Sequence, residues 1–139
     1  MNKWITSVRS SEYDHVSSFA KNGFIDWRQY ANYEAGDIVY IYCTLPEGKV
    51  MYKTVVEQSN MSYDSIIKDD GVFWLDKSRT KNAGKYKYAR LRPIAYSDKE
   101  ELSLGYLLKN GLNAAPQGAY RVSEELANYM DQYLTSRSD

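Results

Sequence analysis

Residues Ile38 to Thr44 read IVYIYCT, and this stretch decides what kind of fold the chain adopts. It is apolar on both alternating faces, which marks a strand covered on its two sides, in the middle of a sheet. Ala35-Gly36-Asp37 supplies a turn before it and Pro46-Glu47-Gly48 a turn after it. The next run, KVMYKTVVE from Lys49 to Glu57, alternates well enough to be the return strand of a hairpin.

Toward the N-terminus, KWITSV (Lys3 to Val8) has the β-branched and aromatic content of a first strand. Ser11 is placed to cap a helix from about Glu12 to Asn22, with Glu12 and Asp14 in its first turn, Val16, Phe19 and Ala20 at helical spacing, and Gly23 as its stop. Trp27 then falls in a short link before the central strand. Toward the C-terminus, Gln58 to Gly71 is polar and irregular, and VFWLD is a brief apolar burst. KYKYARLRPIA follows, with Tyr86, Tyr88, Arg90 and Arg92 on one face and Ala89 and Leu91 on the other. Ser97 and Glu100 have capping-box spacing for a helix through ELSLGYLLKNGL that stops at Gly111. NAAPQGAYR reads as a loop. A last helix begins at Ser123, carries Glu124 and Glu125 in its first turn, and turns Leu126, Met130, Tyr133 and Leu134 inward. A strand, a helix, a block of strands and then helices describe an α+β barrel or curled sheet, not a doubly wound parallel one.

A chain of 139 residues fits one domain, 1–139, because two cores would leave each too little buried surface. No apolar run reaches the length of a membrane span, and MNKWITSV lacks the apolar core of a signal peptide, so the expected location is cytoplasmic and no membrane partner is expected. Cys43, the single cysteine, excludes an internal disulfide and argues against a cysteine-based zinc site. The formal net charge is zero, yet from Lys77 to Arg92 the chain carries Lys77, Arg79, Lys81, Lys85, Lys87, Arg90 and Arg92 with no acid between them. Such a stripe is either a solvated face or a phosphate-binding one. Fourteen tyrosines and three tryptophans against three phenylalanines favour surfaces that stack on or hydrogen-bond to flat partners, although half-buried strands also select tyrosine.

Catalytic sets are missing from the sequence. His15 is the single histidine, on the polar part of the first helix beside Asp14, so no serine or cysteine has a base to serve it and no metal set can be assembled. Gly105, Gly111 and Gly118 form no phosphate-binding loop. The expectation is a protein that is not an enzyme and carries no cofactor and no metal.

The succession WITSV, GFIDWRQY, YEAGDIVYIYCT, GKVMYKTVVEQ, VFWLD and YKYARLRPI, with the tail LSLGYLLKNGLNAAPQGAYRVSEELANYM, resembles an EVE domain of the PUA-like superfamily, a relative of YTH domains. The order and spacing of these segments over nearly the whole chain carry the resemblance. It implies a PUA-like curled sheet or pseudo-barrel of about five to six strands flanked by helices. It also implies binding of nucleic acid, with a modified base flipped from its strand into a pocket with aromatic walls. By that resemblance Trp27 is one wall and Phe73 or Trp74 the other, Trp74 being preferred. Thr6 and Ser7 present small polar groups to the base edge, and Tyr42, Cys43 and Thr44 stand at the end of the central strand. Many relatives have histidine where Cys43 stands, which is a departure from the family pattern.

On this reading Arg28, Lys77, Arg79, Lys81, Lys85, Lys87 and Arg90 meet the nucleic-acid backbone, whose contacts position a strand without reading it. The plainer reading of Trp27 is a ring that plugs the end of the barrel. Trp4, Tyr40 and Tyr52 read as core. Two functions follow. One is a non-catalytic reader of a modified, methylated base in DNA or RNA, standing alone or as the targeting part of a modification-dependent restriction system with a nuclease or NTPase partner. The other is a sensor or binding protein for a free modified nucleobase or nucleotide. Trp27→Ala is expected to abolish the preference for a modified base with the fold intact, and Lys85→Glu with Arg90→Glu to abolish strand binding.

Overall fold

The computed structural model describes residues 1–9, 23–44, 46–62 and 87–136. The expected first helix with His15, the VFWLD burst with Phe73 and Trp74, and Lys77, Arg79, Lys81 and Lys85 lie outside the described residues. In chain order the elements are β1 (Lys3–Val8), β2 (Ile25–Arg28), β3 (Ile38–Cys43), β4 (Lys49–Met61), β5 (Tyr88–Tyr96), a 3-10 turn (Glu100–Leu102), α1 (Leu104–Lys109), β6 (Ala119–Arg121), α2 (Glu124–Asp131) and β7 (Thr135–Ser136).

One curled sheet runs in the order β2-β5-β4-β3-β1-β6, with β7 pairing β5 beside β2. β1 and β3 run parallel and the other pairs are antiparallel. As IVYIYCT requires, β3 is buried at every position. Its Ile38, Tyr40 and Tyr42 enter one core, and Val39, Ile41 and Cys43 enter the other. The first core is roofed by the C-terminal elements through Leu102, Leu107, Leu126, Met130 and Leu134. The second gathers Val8, Ile25, Trp27, Tyr33, Ala89 and Leu91.

The alternation read from the sequence holds for β1, which spans Lys3–Val8 as expected. It also holds along β5, where Ala89, Leu91 and Ala95 are buried and Arg92 and Tyr96 exposed, although Tyr88, expected beside the arginines, is buried. α2 starts where Ser123 predicts, its hydroxyl accepting the Leu126 N–H at 3.1 Å. Three local readings differ. β4 continues through Gln58, Ser59 and Asn60, its pairing with β5 shifting register between Val56 and Gln58 and again between Gln58 and Met61. Ser97 and Glu100 form no capping box: the Ser97 hydroxyl accepts the Lys99 N–H at 3.0 Å and Glu100 opens the 3-10 turn. NAAPQGAYR is not all loop, since Ala119–Arg121 pairs β1 as β6. Among the described residues no helix is long and apolar enough to cross a membrane.

Candidate functional site

β2 exists because four residues find partners on β5. Ile25 and Trp27 turn into one core, while Asp26 and Arg28 take the alternate positions. Trp27 lies opposite Ala89, whose small side chain leaves room for the indole, and is 7% exposed. Curling of the sheet carries Trp27 from one side into the same buried cluster as Val8 of β1, with Trp4 packed against it. The ring is thus part of a core. Trp27→Ala is expected to cost about 3–5 kcal/mol of stability, so lost binding in that variant would not by itself distinguish a pocket wall from a core ring.

Between β2 and β3 the chain is pinned at nearly every step. Gln29 N–H donates to the Lys87 carbonyl at 2.9 Å, and its side-chain amide donates to the Ala31 carbonyl at 2.9 Å. Gly36, at φ +93°, donates to the Val56 carbonyl at 2.8 Å through a backbone turn that suits glycine. Asp37 accepts from Asn2 N, Trp4 Nε1 and Glu34 N, each at 3.0 Å. Burial alone would raise this carboxyl, but the hydrogen bonds prevail and hold it below its ordinary range. The Trp4 indole is fixed by Asp37, lies edge-on to Tyr33 at 5.5 Å, and is covered by Arg121 at 5.6 Å.

That framework presents two hydroxyls with nothing to bond. Thr6 is fully buried and Tyr33 is 3% exposed, and among the described residues neither hydroxyl has a hydrogen-bond partner. They are neighbours. Burial pushes the Tyr33 phenol up to about 12, against a smaller lowering by the neighbouring Thr6 hydroxyl. Tyr33 therefore keeps its proton at any ordinary pH and offers a donor. Thr6 stands between Ile41 of β3 and Ala119 of β6 on the Trp27 side of the sheet.

Of the residues singled out from the sequence, Trp27, Thr6 and Cys43 share this face. Tyr42 does not: it enters the helix-roofed core, and Ser7, opposite it on β1, follows the same alternation. Thr44 sits at the hairpin turn, its N–H donating to the Val8 carbonyl at 3.0 Å. Tyr40 is core, as read, and donates to Asp131 at 2.8 Å; burial and that carboxylate push its phenol up. Arg90 is committed elsewhere, forming a bidentate pair with buried Asp26 at 2.8 and 3.0 Å and lying 4.2 Å from the Phe24 ring centroid. Arg92 is bonded to Glu57. Lys87 is exposed, and Arg28 lies 5.0 Å over the Tyr30 ring. Among the described residues no group of three metal-ligating side chains comes together.

Sequence reasoning missed Tyr33. The signal was present: an aromatic in a short polar link, the feature that drew attention to Trp27.

No protein-family model matches the chain, and no curated protein matches it. Solved structures do. An ASCH protein from Zymomonas mobilis superposes with TM-score 0.68 at 16% identity, over 96% of this chain and 96% of that one. A tyrosine-to-phenylalanine mutant of the Zymomonas protein gives 0.67 at 16% identity, over 97% and 100%. A hypothetical protein from Leishmania major gives 0.62 at 18% identity, over 95% and 93%. At such identities the likeness is one of fold. The fold is that of the Zymomonas ASCH protein, a curled sheet with few helices.

Proposed function

We propose that the chain is a nucleic-acid-binding module that accepts a modified base, drawn out of its strand, on the Trp27 face of the sheet. One observation carries this reading: two adjacent buried hydroxyls, Thr6 and Tyr33, have no hydrogen-bond partner among the described residues and lie beside aromatic side chains. A buried polar group left unbonded costs about 1–3 kcal/mol. The edge of a base carries donors and acceptors that relieve that cost, and seating its faces beside Trp27 and Trp4 requires the packed cluster around them to part. Extruding a base costs a few kcal/mol, aromatic stacking returns about 1–3 kcal/mol, and a buried methyl group adds about 0.8 kcal/mol. Discrimination of a methylated base therefore needs no reaction, and the module binds without catalysis. The PUA-like fold is in keeping with a nucleic-acid partner. Within this reading it can serve a nuclease or NTPase as the targeting part of a modification-dependent restriction system.

A second reading, a binding protein for a free modified nucleobase or nucleotide, is favoured by the pairing of Arg90 and Arg92 with acids, which takes two cations out of the basic stripe.

Thr6→Val and Tyr33→Phe test the site. Each is expected to weaken binding of a modified-base oligonucleotide by roughly 5- to 30-fold while the melting midpoint stays level or rises, because an unbonded buried hydroxyl is removed. A lower midpoint with unchanged binding would falsify the proposal. Strand and free nucleoside, titrated in parallel, separate the two readings, and ligand recovered with altered mass would contradict the non-catalytic part.

A further inference from the structure

Resting on that reading, we infer that the exposed Tyr30 ring, with Arg28 over it and the exposed Lys87 paired through its carbonyl to the preceding Gln29, is the stacking platform for the nucleotide adjoining the accepted base. Tyr30 is 48% exposed although its neighbours on both sides are held firmly. Gln29 is the clamp. Its N–H reaches the Lys87 carbonyl at 2.9 Å, its amide donates to Ala31 O at 2.9 Å and Asn60 Oδ1 at 3.1 Å, and Asn60 N–H returns a bond to Gln29 Oε1 at 2.8 Å. Asn60 holds φ +54°, a left-handed conformation that asparagine tolerates better than most residues. A rigid backbone thus displays an aromatic face to solvent, with the Arg28 guanidinium 5.0 Å from the ring centroid.

Its position relative to the base site is what gives the platform its use. Trp27 and Tyr33 both turn inward, and Tyr30 lies midway between them in sequence and turns outward. Three residues of chain reach at most about 11 Å. Tyr30 is also close enough to Tyr33 to disfavour ionisation of that phenol. A strand that delivers one base to Thr6 and Tyr33 therefore carries its next nucleotide past Tyr30. Single-stranded nucleic acid is held by such combinations, an aromatic face for any base and cations for the phosphates. A duplex has no free base face to offer.

The experiment compares wild type, Tyr30→Ala and Tyr30→Phe for binding two probes each of N6-methyladenosine and 5-methylcytidine: the nucleoside alone, and a short single strand with that base at its centre. Tyr30→Ala should weaken the strand by roughly 5- to 150-fold, leave the nucleoside unchanged, and be rescued by Tyr30→Phe, which keeps the ring. Lys87→Ala should flatten the salt dependence of strand binding by about 0.7 in log–log slope. If wild type binds the strands and Tyr30→Ala binds them equally well, the platform is overturned and the base site stands. If wild type binds none of the probes, both fall.

Discussion

The Asp37 carboxylate, buried just ahead of β3, gathers N–H groups from Asn2, Trp4 and Glu34. Charge-assisted bonds of this kind contribute about 1.5–3 kcal/mol each before compensation, so Asp37→Asn, which turns a donor toward donors, should cost about 2–3 kcal/mol at neutral pH. The folded carboxyl ionises below its ordinary value of 3.8. Its stabilisation is therefore full above pH 4 and lost as pH falls from there through the folded value. Urea midpoints of wild type and Asp37→Asn should converge at acid pH; a constant gap would contradict the assignment. Arg90→Ala removes the guanidinium from buried Asp26 and should cost about 3 kcal/mol by urea titration. Arg90→Glu would be worse, so a test of phosphate binding belongs on Lys87. At this scale the sequence grouped Trp27, Thr6, Cys43 and Tyr42, and the register divides them, sending Tyr42 into the helix-roofed core and the others to the opposite face. A strand apolar on both faces marks neither as the site, and alternation from Ile38 groups Tyr42 with Tyr40.

β2 was invisible as a strand because four residues carry too little pattern. Pairing with β5 creates it, and only tertiary structure supplies that. β4 was legible as far as Glu57, where alternation stops, and its continuation depends on the exchange between Gln29 and Asn60. Asn60→Ala should lower stability by about 1–2 kcal/mol, from a left-handed alanine and a broken amide pair. Asn60→Gly should recover part of that by relieving the backbone alone. Thermal melts of both variants beside Gln29→Ala check this: equal losses for alanine and glycine would mean that the φ angle contributes nothing. β1, the β3–β4 hairpin and α2 were readable because their signals are local: alternation, Pro and Gly in the turn, and a serine cap.

Across the molecule, the sheet divides two unlike interiors. The helix-roofed core is built from aliphatic side chains, with Tyr40 bonded to Asp131 and Tyr129 donating to the Glu101 carbonyl. The other holds the Thr6 and Tyr33 hydroxyls, neither with a hydrogen-bond partner among the described residues. Stability and binding should therefore separate. Met130→Ala is expected to cost about 2–5 kcal/mol and leave the base affinity of the folded protein unchanged, the reverse of Tyr33→Phe. Chemical denaturation with binding measured well below the midpoint distinguishes the two. The α+β curled sheet was readable from element order alone, whereas which side chains share each of its two cores required the register.

β1 is flanked by β3 on one side and by β6 on the other, and Arg121 bonds to Asn2 across 119 positions of chain. At a ribosome adding about 5–20 residues per second, roughly 6 to 24 s pass between synthesis of the first strand and of its second neighbour. Through that interval the sheet margin beside Trp4, Ile5 and Thr6 is without β6. Unpaired backbone there is a template for the same strand of another nascent copy. Yield in the cell should thus depend on elongation speed and chaperone supply more steeply than the stability of the finished protein suggests.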